Sequence, residues 1–225
     1  ISLDSLVPEK FLEITRGGSL NRALEGMEAA LLARLEPLKI NVVLMKGFND
    51  SEIISFAELT RSRPVHVRFI EYMLTNLTGN SYGDIFFSCQ EAKKALGSFG
   101  ELEPVENNSQ IGAARVFRIR GFCGTIGFIS PVSDNFCSSC NKLRLTSDGH
   151  LRSCLHSAMA IDLKSEIERG VSDEDLAMLI KEAVSLKPES HNLRDVSKRD
   201  TQLCGVSQSD TSQKREHFSM CQIGG

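Results

Sequence analysis

Three short apolar runs, Ile1–Asp4, Ile40–Met45 and Val65–Met73, alternate with stretches of helical periodicity, and this alternation leaves the chain few ways to fold. Strands separated by helices imply βαβ units and a parallel sheet, with ligand-binding residues at or beyond the C-terminal ends of the strands. Between the first two runs, Leu20, Leu24, Met27, Leu31 and Leu32 recur at three- and four-residue steps, and Gly17-Gly18-Ser19 supplies a break and a cap. Between the second and third, Gly47 to Asp50 turns the chain into a helix expected to end near Arg61. Ile1–Asp4 reads as the end of a buried strand with no preceding turn, cap or methionine, so a further N-terminal segment is expected. Residues 1–84, closing in the Asn-, Thr-, Gly- and Ser-rich stretch Leu74–Asp84, are expected to be an α/β domain, part of an incomplete TIM-like barrel or an open sheet.

The grammar then changes. A helix over Gln90–Phe99, strands over Ala114–Arg120 and Thr125–Ile129, a cysteine segment, an Asp148-Gly149 turn, and helices over Ile161–Glu168 and Asp173–Ser185 predict a smaller α+β domain at 85–186. From Lys187 to Lys214 the chain is rich in Ser, Gln, Asp and Lys, and 187–225 is expected to be a mobile linker and tail.

No apolar run approaches the roughly 20 residues that span a bilayer, which argues against a membrane role. A net charge of −3 gives no general electrostatic footprint for nucleic acid, so an anionic ligand must be held by a local cluster of Lys and Arg, which points to a small ligand. Seven cysteines, three of them within Cys137–Cys154, indicate a reducing compartment and a metal rather than a disulfide framework.

Cys137-Ser138-Ser139-Cys140 spaces two thiols so that both can reach one metal centre, and Cys154 returns after a hairpin-sized interval. Three cysteines on a [4Fe–4S] cube leave one iron open to a substrate atom. The same spacing, with His150 or His156 added, also suits a closed zinc site of structural type, and spacing alone does not separate the two. Asn141–Thr146 alternates polar and apolar, so Lys142 and Arg144 are expected on one face of a strand beside the cysteines. Lys39 stands at the entry of the second strand. Arg68 is embedded in the third, where a charge needs an anion: either a bound polyphosphate or an internal carboxylate such as Glu71 or Asp4.

At this point the chain resembles a known family. Ser2–Leu6, Lys39–Val43, Lys46-Gly47-Phe48-Asn49-Asp50, Arg68–Met73, Cys137–Gly149, Leu151–Leu155 and the closing Gly224-Gly225 are similar, in order, to the MoaA-type GTP 3′,8-cyclases, radical S-adenosylmethionine enzymes of molybdenum cofactor (molybdopterin) biosynthesis. The resemblance implies an incomplete α/β barrel with two [4Fe–4S] clusters, one cleaving S-adenosylmethionine and one binding GTP. It implies that Cys137, Cys140 and Cys154 hold the substrate-side cluster, and that Lys39, Arg68, Lys142, the Leu143 backbone and Arg144 hold GTP. It also implies that Ser2 and Met73 contact S-adenosylmethionine and that Gly224 and Gly225 reach the active site. The product would pass to the next enzyme of the pathway, in the cytoplasm or mitochondrial matrix, with a homodimer left open. The CxxxCxxC motif of the radical-generating cluster is absent from these 225 residues, which are expected to be the C-terminal two-thirds of a longer enzyme or a truncated product, without turnover of their own. Lys142 replaces the family's usual Arg, keeping the charge but losing the fork. A catalytically dead nucleotide-binding module and a zinc-stabilised structural domain are the rival expectations.

Overall fold

The computed structural model describes residues 1–73, 82–105, 113–134, 136–157 and 159–190. They fall into two compact units, divided between Asn135 and Phe136.

The first unit opens with helix α1 (Pro8–Ile14), which has proline in its first turn, and α2 (Leu20–Leu32), where the Ser19 side chain accepts from Arg22 N. Strand β1 (Leu38–Leu44) follows. A 3-10 turn over Asp50–Glu52 then leads into α3 (Ile53–Ser62), strand β2 (Val65–Glu71), and helices α4 (Tyr82–Ile85) and α5 (Cys89–Gly97). Strands β3 (Leu102–Pro104), β4 (Arg115–Ile119) and β5 (Thr125–Ile129) complete a five-stranded mixed sheet in the order β1-β2-β5-β4-β3. β1, β2 and β5 run parallel, while β4 pairs antiparallel with both β5 and β3. Ser2 adds a parallel bridge to Asn41, as expected of a strand end, and Leu3 beside it is buried.

Alternation within the strands sorts the two faces. Ile40, Val42, Leu44, Val65, Val67, Phe69, Ile126 and Phe128 enter the core with Phe56 and Ala57 of α3 and Ala92 and Leu96 of α5. Phe69 is stacked on Phe128 and meets Phe56 edge-on. The second face carries Lys39, Asn41, His66 and Arg68, which are exposed or half-buried.

Residues 85–105 and 113–134, expected in a separate domain, instead lie in this first unit, to whose sheet they contribute β3, β4 and β5. β5 pairs with the edge of β2 that β1 leaves open, His66 with Thr125 through Ile70 with Ile129. The second unit begins at Phe136. It holds a three-stranded antiparallel sheet of β6 (Arg144–Leu145), β7 (His150–Arg152) and β8 (Ile161–Asp162), with helices α6 (Leu163–Glu168) and α7 (Asp173–Ser185). Its small core is Leu151, Leu163 and Ala183, with Ile161, Leu176 and Leu179 against it. Gly149, at φ +87°, makes the turn foreseen at Asp148-Gly149, and its N–H donates to Thr146 O at 3.0 Å. Of the expected linker, residues 187–190 are described, outside any helix or strand, and Lys187 meets the cysteine segment. The rest of the linker, with Gly224 and Gly225, lies outside the described residues, as does most of the expected Leu74–Asp84 loop.

Candidate functional site

Strand register builds the first group of candidate residues. Asn41, Arg68 and Gly127 lie side by side on β1, β2 and β5. Arg68 Nε donates to Asn41 Oδ1 at 2.8 Å. A methyl group on Gly127 would stand 3.2 Å from Arg68 Cγ, tighter than most real contacts, so the glycine makes room for the arginine's stem. Burial pulls the Arg68 guanidinium below its ordinary value, the signature of a charge held partly out of water with a neutral amide as its hydrogen-bond partner. The internal carboxylates considered for it are engaged elsewhere. Glu71 is three residues on in the same strand and faces the core, and Asp4 accepts from Val43 N at 2.8 Å. Burial raises the Asp4 carboxyl above its usual value, with that N–H opposing it. Lys39 is exposed, one step before this row on β1.

The loops at the C-terminal ends of β2 and β5 are held by a residue whose role sequence reasoning missed. Glu71 is fully buried, and its carboxylate accepts from Cys89 N at 3.0 Å, Val132 N at 3.0 Å, Ser133 N at 2.9 Å and the Ser133 hydroxyl. It thereby ties the start of α5 and the segment after β5 to the end of β2, where Met73 follows, half-buried. The only sequence signal was an acidic residue at an alternating core position. Asn49 plays a similar part at the end of β1: its amide donates to Asp4 O at 2.7 Å and Val43 O at 2.8 Å and accepts from Met45 N at 2.8 Å. The motif Lys46–Asp50 is thus a structural turn around a buried Asn49.

In the second unit, Cys137–Ser139 is a 3-10 turn closed by Cys140 N donating to Cys137 O at 3.1 Å. Cys137, Cys140 and Cys154 are free, half-buried thiols. β6 begins only at Arg144, so Lys142 and the exposed Leu143 precede the strand, and the expected shared strand face for Lys142 and Arg144 is not formed. Too few residues pair with β7 to extend β6 back to Asn141. Arg144 stands directly opposite Arg152 in the β6–β7 register, and Cys154 follows Arg152 by two residues. Lys187 Nζ donates to Lys142 O at 2.8 Å and lies 3.4 Å from Cys140 Sγ, a contact with no sequence signal. His150 Nδ1 is 3.3 Å from Asp148 Oδ2.

Among the described residues, no three His, Cys, Asp or Glu side chains are grouped so that they could hold a metal ion. The expected convergence of Cys137, Cys140 and Cys154, with or without His150 or His156, is therefore not part of the described geometry. The chemistry of the donor set does fit a thiophilic group: three free thiols in one small unit, two of them held on a single tight turn.

Residues 65–193 match the protein-family profile described as Molybdenum Cofactor Synthesis C. The chain is 41% identical over 194 residues to a protein of Pelotomaculum thermopropionicum named GTP 3′,8-cyclase, covering 86% of this chain and 60% of that protein. It is 43% identical over 195 residues to a Moorella thermoacetica protein of the same name, covering 87% of this chain and 60% of that one. A Heliobacterium modesticaldum protein, again so named, is 43% identical over 196 residues. The chain thus spans about three fifths of the length of these curated relatives.

Proposed function

Since the chain belongs to the Molybdenum Cofactor Synthesis C family, we propose that it is the GTP-binding part of a GTP 3′,8-cyclase of molybdenum cofactor biosynthesis. In this reading Cys137, Cys140 and Cys154 hold a [4Fe–4S] cluster, which supplies an open iron for the guanine. Lys142, the Leu143 backbone and Arg144 bind the nucleotide beside it, and Lys39 and Arg68 bind phosphate in the first unit. Ser2 and Met73 contact S-adenosylmethionine in the complete enzyme. The parallel set β1, β2 and β5, with Ser2 bridged to its edge, is read as part of an incomplete α/β barrel. Among the described residues no helix is long and apolar enough to cross a membrane.

The observation that carries this reading is Arg144, half-buried on β6 between the cysteine turn and Cys154 and opposite Arg152, which itself donates to Ser157 O. A half-buried guanidinium at that place gains from a bound polyanion. The protein's own work is positioning and charge neutralisation: arginines fork onto phosphate oxygens, lysines add point charges, and backbone amides fix the base.

The test is electron paramagnetic resonance of the chain, prepared without oxygen and reduced with dithionite. Adding GTP is expected to change the line shape of the cluster signal, whereas tripolyphosphate, which has no base, leaves it unchanged. Identical spectra with and without GTP would contradict the reading.

A further inference from the structure

The face of the first sheet that carries Arg68 holds more positive charge than Lys39 and Arg68 supply. His66 lies opposite Lys39 on β1 and Thr125 on β5, with its Nδ1 2.5 Å from Thr125 Oγ1. β4 pairs with β5 as far as Phe117 opposite Ile126, and Arg118, the next residue, is near enough to His66 to act on its charge. Lys39, His66, Thr125 and Arg118 therefore form one row across four strands, about 14 Å from end to end at the usual strand spacing. Arg68 sits in the adjoining row, beside Gly127, and β5 contributes nothing bulky to separate the cations.

The neighbouring arginines are paired, and among the described residues Arg118 is not. Arg115 of the same strand pairs with Asp134 at 2.7 Å, and Arg120 pairs with Glu101 at 3.3 Å and Glu103 at 2.8 Å. Glu103 stands opposite Arg118 in the β3–β4 register yet serves Arg120. Among the described residues, neither Lys39 nor Arg118 makes an ion pair or a side-chain hydrogen bond. Lys39 and Arg118 stand at the two ends of this row with Arg68 beside it, a spacing that a chain of linked phosphates could follow.

We propose that His66 and Arg118 extend the Lys39–Arg68 pair into a four-group seat for a polyphosphate chain, with Thr125 holding the His66 ring. The inference deepens the nucleotide-binding reading of this face and rests on it. Burial, reinforced by Lys39, Arg68 and Arg118, holds the His66 imidazole below its ordinary value. These are the charged groups that face it from β1, β2 and β4, while β5 presents Thr125 and Gly127. A polyanion cancels their field, so the ring gains a proton on binding, and binding tightens as pH falls from about 8 towards about 6.

The probe is inorganic tripolyphosphate, titrated calorimetrically into the full 225-residue chain in two buffers of different ionisation heat. One site with proton uptake is expected. Arg118→Ala weakens binding about tenfold. Arg115→Ala removes the same charge from the other face of the same strand and changes binding by less than about twofold. His66→Asn takes up fewer protons per bound ligand than the parent, the titration of tripolyphosphate itself being common to both. Any of three results overturns the proposal: no binding by the parent chain, equal losses for Arg118→Ala and Arg115→Ala, or the same proton exchange in His66→Asn as in the parent. The titration is repeated on chelator-treated chain, where it is expected to be unchanged. Failure of the cluster assignment, read from metal content, is thereby distinguishable from failure of the seat.

Discussion

Glu71→Ala is expected to lower the free energy of unfolding by about 3 kcal/mol or more, the largest loss from any single substitution on the second sheet strand. The side chain is fully buried, and its removal takes away the carboxylate that accepts from the N–H groups of Cys89, Val132 and Ser133, the first two of these bonds buried and the third partly so. Each such buried donor costs about 1 to 3 kcal/mol, and the lost packing adds to it. Glu71→Gln keeps the shape and one carbonyl oxygen but turns the other oxygen into a donor that faces donors, so it should fall between the parent and Glu71→Ala. Urea unfolding followed by circular dichroism measures both. A Glu71→Ala chain within about 0.5 kcal/mol of the parent would mean that the carboxylate does not hold these loops.

The second large effect concerns metal. Cys154→Ser, prepared without oxygen, is expected to retain at least about tenfold less iron and acid-labile sulfide than the parent, because loss of a direct ligand should exceed the loss from an outer-shell partner. Cys123→Ser is the matched control: Cys123 is an exposed free thiol of the first unit, and its replacement should leave the iron and sulfide unchanged. Equal retention by the two variants would remove Cys154 from the ligand set. A variant that lost its metal because it had unfolded would also show a changed circular dichroism spectrum, so the two measurements are read together.

Much of the first unit was legible because its elements are local. The β-branched run at Ile40–Val43, the turn at Gly47–Asp50 and the steps of Leu20, Leu24 and Met27 each declare an element within a few residues, and β1, α3 and α2 lie where those signals put them. What sequence could not show was which strands share a sheet. β2 and β5 are separated by more than fifty residues, and neither carries a mark that names the other as its partner. The same limit explains the misplaced domain boundary: a change of local grammar near residue 84 marks a loop, but the units are decided by long-range pairing.

The candidate site divides along the same line. Motif residues with unusual chemistry, such as the cysteines and the arginine inside β2, could be singled out from composition. Their partners could not. Asn41 as the partner of Arg68, Gly127 as the space for its stem, and Lys187 against Cys140 all arise from residues distant in sequence. Glu71 was considered only as a counter-ion for Arg68. On a strand, residues three apart point to opposite faces, and this sends Glu71 to the loops and leaves Arg68 with Asn41. For Lys142 the alternation was read correctly as a pattern, but β6 is only two residues long, so the pattern does not translate into a shared face.

The most direct test of the account is the content of iron, acid-labile sulfide and zinc in the parent chain, purified and kept free of oxygen. Iron and sulfide in equal amounts, near about four of each per chain with no zinc, is the expected result for a cube held by Cys137, Cys140 and Cys154. One zinc per chain with no sulfide would contradict it and return the cysteine turn to a purely structural role.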